Sequence, residues 1–263
     1  MNPWINALIQ IAVFIGAIYV VGFLISLINR LFYFLTGDSK VILYGTGFFG
    51  TPIHELSHAL FCLIFMHKIE EISLFQIDEE SGTLGYVTHS WNKRNIYALI
   101  GNFFIGVAPI LVGTSLLILL MFLIIPNTFF GINDALAVVA KDLDYSQIPA
   151  TIWNCVLIFF KGAGDWRWWL YLIPVILIAL HMNLSKADLK GTLIAIPFLA
   201  AIIILLNVIF GFWITSAYPG FLNIMAYGEV YLGVILLMSL AFAILSLSLA
   251  LLIFAFRKIF HLD

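Results

Sequence analysis

Charged side chains are scarce in this sequence. Asp, Glu, Lys and Arg make up 10% of its 263 residues, whereas 63% are apolar and the mean hydropathy is +1.10. A soluble domain carries about 25% charged residues, so this chain lacks the polar surface that a water-soluble globular protein needs. The net charge of −2 also leaves no basic surplus for the phosphates of a nucleic acid. We therefore expect a membrane protein with no nucleic-acid partner.

Cysteine is almost absent, and nothing in the sequence marks a second domain. Cys62 and Cys155 both lie in apolar runs, and a disulfide framework for a chain this long would need more cysteines. We expect both to be small buried side chains. No repeat, low-complexity tract or Pro/Ser-rich linker divides the sequence, so residues 1–263 are predicted to form a single membrane-embedded domain.

The sequence instead has long stretches that contain at most one charged residue. A bilayer core requires about 20 apolar residues for each helical crossing. Six stretches approach this length: 8–29, 42–66, 96–124, 168–184, 192–215 and 230–256. The sequence therefore predicts an all-α polytopic protein with about six transmembrane helices, surrounded by a lipid bilayer.

Two other segments have shorter patterns. Residues 69–91 place β-branched and aromatic residues on both sides of an Asp-Glu-Glu-Ser-Gly turn, which predicts a short β-hairpin between the second and third spans. Gly82 is the expected positive-φ residue of that turn. Residues 145–160 are uncharged but number only 16 and contain Pro149, so we expect an interfacial or re-entrant helix there rather than a seventh span.

The Lys and Arg residues favour one orientation by a small margin. Seven fall on the side that we expect to be cytoplasmic: Lys68, Lys93, Arg94, Lys186, Lys190, Arg257 and Lys258. Five fall on the other side: Arg30, Lys40, Lys141, Lys161 and Arg167. Because cytoplasmic loops are enriched in Lys and Arg, this count predicts a multi-pass protein of the cell membrane with both termini in the cytoplasm.

The second predicted span contains the pattern His54-Glu55-Leu56-Ser57-His58. On a helix, histidines at positions i and i+4 face the same way and can share one tetrahedral Zn²⁺, with Glu55 beside a zinc-bound water. Such an ion makes water acidic enough to attack near neutral pH. Ionisable groups within a span are costly and usually functional, so we predict one hydrolytic zinc site per chain. A buried hydrogen-bond network or a proton relay is the alternative.

A third protein ligand is needed, because catalytic zinc usually has three ligands and one open position. Two residues qualify, His181 at the end of the fourth predicted span and Asp188 shortly after it. Asp188 is the preferred ligand, although Ser185 and Asp188 also fit a helix capping box. His181 is predicted mainly to support a ligand from behind or to be a hydrogen-bonded histidine at a helix interface. The other histidines are expected to be solvated: His67, His89 and His261.

Two further features lie in the second and third spans. Asn102 could donate a hydrogen bond to a substrate carbonyl or to a developing oxyanion, with an ordinary polar contact within its helix or between helices as the alternative. Residues 44–52 contain three glycines and then Pro52. They predict a metal-binding helix that begins inside the membrane with Thr51 as its N-cap, or else close helix packing at the glycines.

Taken together, these residues resemble the site-2 protease family of intramembrane zinc metalloproteases. The resemblance covers about residues 44–191 and rests on the HExxH motif in a span, the Gly/Asn/Pro-rich third span and the late Ala-Asp-Leu-Lys-Gly sequence. It implies that His54 and His58 bind zinc and that Glu55 is the general base. Asp188 would match the aspartate of the family's Leu-Asp-Gly motif as the third ligand.

The resemblance also implies how substrate binds, and the sequence departs from the family in three places. A substrate strand could pair with an edge of the 69–91 hairpin, as in the family. Ser57 stands where the family usually has Gly, and Leu189 and Lys190 separate Asp188 from Gly191. The sequence also contains no insertion as large as a PDZ domain.

The predicted function is intramembrane hydrolysis of peptide bonds in transmembrane or membrane-proximal proteins, by zinc-bound water that Glu55 activates. Two alternatives use the same residues differently. A transporter could move metal ions or protons through the His/Glu/Asp cluster, and a catalytically inactive relative could act as a membrane scaffold.

Overall fold

The computed structural model describes residues 2–37, 39–78, 83–142 and 148–259, and 83% of it is helical. The helices are α1 (Pro3–Ile11), α2 (Ala17–Leu35), α3 (Lys40–Ile64), α4 (Ile96–Ile124), α5 (Pro126–Asp142), α6 (Ile148–Lys161), α7 (Trp166–Ala179), α8 (Lys186–Val208) and α9 (Tyr218–Ile259). A π-helical turn joins α1 to α2, so the two form one rod. The strands are β1 (Lys68–Ser73) and β2 (Tyr86–Ser90).

Four helical segments in the described residues are long and apolar enough to cross a membrane: Pro3–Leu35, Ile96–Ile124, Lys186–Trp213 and Thr215–Ile259. They are compatible with a membrane protein, but the predicted number of six is not confirmed. Helix α3 has the length, with 25 residues, but its histidines and glutamate make it less apolar than these four. Helix α7 has only 14 residues, which is too short for a crossing by itself.

Helices α7 and α8 run in the same direction along α4. The Tyr171 hydroxyl of α7 donates to the Leu117 carbonyl at 2.9 Å. Further along, a Cβ at Gly106 would overlap Thr192 of α8. Residue numbers therefore rise through α7 and α8 while they fall along α4, and the two helices follow one path with a break between them. The two opposite crossings predicted here are not confirmed, because the polar segment between the helices is a break inside the bundle and not a return loop.

Helix α9 runs parallel to the α1–α2 rod. At one end, the Asn6 amide donates to the Tyr218 hydroxyl at 2.7 Å; at the other, Arg257 Nη1 donates to the Thr36 carbonyl at 3.2 Å. The start of α1 and the end of α9 thus lie at opposite ends of the bundle, whereas the sequence predicts that both termini are cytoplasmic.

We expect reporters fused to the two ends of the chain to lie on opposite faces of the membrane. The parallel course of the α1–α2 rod and α9 requires this outcome, whereas six crossings would return both ends to one face. The measurement is the activity of a phosphatase that works only outside the cytoplasm, paired with a fluorescent protein that matures only inside it. Finding both ends on one face would contradict the observed helix directions.

The predicted hairpin is confirmed. Strands β1 and β2 pair antiparallel from Lys68 opposite Ser90 to Ser73 opposite Tyr86, with a bulge between Ile69 and Glu71. Gly82 and the first residues of the 145–160 segment lie outside the described residues. Helix α6, with 14 residues, is not among the long apolar helices, in agreement with the prediction for that segment. Helix α5, which packs against α6, was not predicted.

The metal-binding helix does not begin at Thr51. Helix α3 begins at Lys40 with Ser39 as its N-cap, and it continues through Pro52. A proline removes one backbone donor, but every other backbone group in an apolar setting gains from an uninterrupted helix. The glycines instead allow close packing, since a Cβ at Gly50 would overlap the ring of His181.

Candidate metal centre on helices α3 and α8

The two histidines of α3 are oriented by backbone carbonyls of other segments. His54 Nδ1 lies 2.6 Å from the carbonyl oxygen of His181, and His58 Nδ1 lies 2.7 Å from the carbonyl oxygen of Ile105. A carbonyl oxygen only accepts hydrogen bonds, so each Nδ1 must carry the hydrogen. In the neutral rings the lone pair is then on Nε2, which is the tautomer that metal-binding histidines usually have.

The two Nε2 atoms face each other and a carboxylate. They lie 3.1 Å apart, and His58 Nε2 is 3.3 Å from Asp188 Oδ1. Two imidazole lone pairs and a carboxylate oxygen repel one another unless a cation or proton lies among them. The three ligand atoms lie within 4.8 Å of one another. Two imidazoles and one carboxylate are a donor set that suits catalytic zinc, with a fourth position left open.

Asp188 has two contacts, one through each carboxylate oxygen. Its Oδ2 accepts from the Ser185 backbone N–H at 2.7 Å, and its own N–H donates to Ser185 Oγ at 3.1 Å. This capping box begins α8. Because Oδ1 faces His58 while Oδ2 caps the helix, the two roles that the sequence left as alternatives are compatible in one side chain.

Side chains from neighbouring helices donate hydrogen bonds to the backbone carbonyls at the break between α7 and α8. Asn29 Nδ2 donates to the carbonyls of residues 179 and 180, at 3.2 and 3.1 Å, where α7 ends. The next carbonyl, that of His181, accepts from His54. The His181 ring turns away from the metal-ligand group, with Nε2 3.1 Å from Thr46 Oγ1. His181 therefore supports His54 through its backbone.

A cavity of about 660 Å³ opens beside the ligand cluster. Glu55 lines it and is only 7% exposed. Strand β2 forms another wall, and at its beginning a Cβ on Gly85 would come within 3.0 Å of Glu55 Cγ. The hairpin backbone therefore lies directly over the side chain predicted to be the base. The volume lies within the usual range of ligand sites, roughly 300–1,000 Å³.

Asn102 also lines the cavity, but its amide nitrogen is bonded within its own helix. Nδ2 donates to the Leu99 carbonyl at 3.0 Å and to the Ala98 carbonyl at 3.4 Å. The intrahelical alternative therefore describes the amide group in this structure. A substrate contact would require this donor to rotate.

His67 was predicted to be solvated, but this is wrong, because the residue is only 4% exposed. Its Nε2 donates to the Ala98 carbonyl at 2.7 Å, and its Nδ1 lies 2.9 Å from Nδ1 of His89. Burial, helped by the neighbouring His67, lowers the pKa of His89 to about 4, so this ring is neutral at neutral pH. The one sequence signal for a buried His67 is its position five residues after Cys62. His261 lies outside the described residues.

No protein-family model, curated protein or solved structure matches the chain. The resemblance to site-2 proteases therefore rests on the residues quoted above. Any assignment of function must be carried by the geometry of the site.

We expect Gly50→Ala to weaken zinc binding by about 10- to 100-fold, the usual effect of disturbing a partner behind a metal ligand. The added Cβ would overlap the Leu177 carbonyl oxygen and the His181 ring, so α7 would have to shift and with it the carbonyl that orients His54. Gly45→Ala is the matched control, because nothing lies within 4 Å of a Cβ at that position of the same helix. The measurement is zinc affinity in detergent by competition with a chelating dye. Equal affinities for the two variants would show that the packing at Gly50 does not position the site.

Proposed function

We propose that the chain is an intramembrane zinc endopeptidase, similar to site-2 proteases, that hydrolyses peptide bonds of transmembrane or membrane-proximal proteins. One observation carries the proposal. The Nε2 atoms of His54 and His58 converge with Asp188 Oδ1, each histidine is oriented by a carbonyl, and Glu55 borders the same cavity. This arrangement matches what a hydrolytic zinc site requires.

Zinc held by His54, His58 and Asp188 would supply a Lewis acid that polarises the scissile carbonyl and lowers the pKa of water. Glu55 would accept the proton of the attacking water and later deliver it to the leaving amine nitrogen. It adjoins a ligand in the sequence, lines the cavity and is held beneath the Gly85 backbone. These contacts restrict where its carboxylate can lie, which is how a positioned base gains efficiency.

Strand β2 supports a proposal for how substrate binds. Its residues Tyr86 to His89 line the cavity, and its only strand partner in the described residues is β1. The other edge of β2 has no strand partner among the described residues, and we propose that an extended peptide pairs with it. A transmembrane helix must unwind before its carbonyls can be attacked, and strand pairing would replace the hydrogen bonds that it loses. Asn102 is the proposed donor to the substrate carbonyl once its amide turns towards the cavity.

The proposed setting is the cell membrane, with the chain as a multi-pass protein and the bilayer as the source of its substrates. The break between α7 and α8 supports a polar cavity at the depth of the site. Irregular backbone in a membrane is tolerated where it is buried in protein or lines a water-filled space, and hydrolysis requires water at the site.

A second candidate is a transporter of metal ions or protons. The observation that favours it is the same break, since discontinuous helices that line a central site are typical of transporters. Transport requires the bound ion to leave on the other side, whereas a peptidase retains it. The two functions can therefore be separated by experiment.

The test is metal analysis combined with cleavage. Chain purified in detergent should contain zinc and should cleave single-span membrane proteins after reconstitution into vesicles, with new termini identified by mass spectrometry. Chelation should stop cleavage and added Zn²⁺ should restore it. Zinc uptake into vesicles that depends on His54 and His58, without cleavage, would favour the transporter. No bound zinc would leave a proton transporter or the scaffold as the remaining functions.

A further inference from the structure

The end of α3 places a cysteine and a histidine side by side. Met66 adopts a left-handed conformation, with φ of 59°. The N–H of His67 then donates to the Cys62 carbonyl at 2.8 Å, and the N–H of Met66 to the Leu63 carbonyl at 3.3 Å. These two bonds define a Schellman motif, which usually has glycine at the left-handed position. The motif turns the chain back, so that His67 lies beside the last turn of the helix.

The hairpin brings a second histidine to the same place. His89 on β2 pairs with Ile69 on β1, directly after the turn. Because His67 Nε2 must donate its hydrogen to the Ala98 carbonyl, its Nδ1 holds a lone pair in the neutral ring. That lone pair points at Nδ1 of His89, 2.9 Å away.

The thiol of Cys62 completes the cluster. It is 0% exposed and forms no disulfide bond. The sulfur and one nitrogen from each histidine lie within 4.8 Å of one another. A buried thiol and two imidazoles with lone pairs available are the ligands that zinc prefers, and they disfavour hard cations such as Mg²⁺ and Ca²⁺.

We infer that Cys62, His67 and His89 form a second Zn²⁺ site, separate from the centre at His54, His58 and Asp188. Binding requires a thiolate, so each Zn²⁺ that enters releases the thiol proton of Cys62 to solvent. Three protein ligands leave one coordination position, which a water from the adjoining cavity can fill, because His89 lines that cavity.

The site joins residues from three successive parts of the fold. Cys62 belongs to α3, His67 to the turn after it and His89 to β2. Trp91 covers the cluster, with its ring stacked on His67 at a centroid distance of 5.3 Å. An ion here would fix β2, one wall of the cavity, to the helix that carries the HExxH motif. The site therefore holds the hairpin in place.

Cobalt substitution tests this second site without relying on catalysis. Chain stripped by a chelator and loaded with Co²⁺ alone should bind two ions and show a near-ultraviolet sulfur-to-cobalt charge-transfer band. Only the second site contains sulfur, so the band reports on it alone. Cys62→Ser should remove the band and one cobalt ion. Cys155→Ser, the matched control at the other cysteine, should keep both.

Failure of this inference can be told apart from failure of the proposed function. Replacing both His54 and His58 by Ala should remove one cobalt ion and leave the sulfur band intact. If Cys62→Ser does not fold, His89→Ala provides the same test from the hairpin, and it should lose the band. The second site would be overturned if the wild-type chain lacked the band or if the band survived in Cys62→Ser. The cluster would then be a His–His hydrogen bond beside a buried thiol.

Discussion

Replacing Glu55 with Gln is expected to lower the rate of peptide-bond cleavage at least about 100-fold while zinc remains bound. A positioned general base contributes roughly 10²- to 10⁴-fold to a rate. Gln has nearly the same shape and fits beneath the Gly85 backbone, but its amide cannot accept a proton from water. The three proposed ligands are untouched by the change, so metal content should stay at the wild-type value.

The measurement is single-turnover cleavage of a membrane-protein substrate in vesicles, with zinc determined by elemental analysis of the same preparation. Glu70→Gln serves as the control, because the Glu70 carboxylate lies outside the cavity and bonds to Lys68 and Ser90. It should cleave at the wild-type rate. Cleavage that persists in Glu55→Gln would show that Glu55 is not the base.

Replacing Asp188 with Asn is expected to weaken zinc binding by more than about 100-fold. Removing a partner behind a ligand already costs 10- to 100-fold, and this change replaces a direct ligand by a neutral amide. An Asn oxygen can still accept from the Ser185 N–H and so retain the cap of α8. The effect should therefore appear in metal affinity and not in stability.

Ser185→Ala is the matched variant that separates the two roles of Asp188. It removes the hydroxyl that accepts from the Asp188 N–H and should cost about 1 kcal/mol of stability, as loss of an N-cap does. Zinc affinity should stay within a few-fold of wild type. Both quantities are measured in detergent, by chelator competition and by thermal unfolding. If the two variants lost zinc equally, Asp188 would act through the cap and not as a ligand.

Composition and local patterns are enough to predict the class of protein and one half of the proposed site. Scarcity of charge predicts long apolar helices, because every charge in a bilayer core is costly. His54 and His58 share a face because they are one helical turn apart, which is a local relation and needs no tertiary contact. The hairpin is equally local, since its two strands are close in sequence and flank one turn.

How distant segments meet cannot be read from local patterns and comes from the packing of the helices. The hydropathy of residues 168–184 and 192–215 does not show in which direction each helix runs. The contacts along α4 show that both run the same way, one after the other, with a break between them. That break is possible because Asn29 satisfies the carbonyls at the end of α7. Other contacts likewise join residues that are far apart in the chain or on separate elements. They are the hydrogen bonds of the site histidines, the approach of Asp188 Oδ1 to His58 and the Cys62 cluster. Such contacts depend on three-dimensional packing, for which composition and periodicity carry no signal.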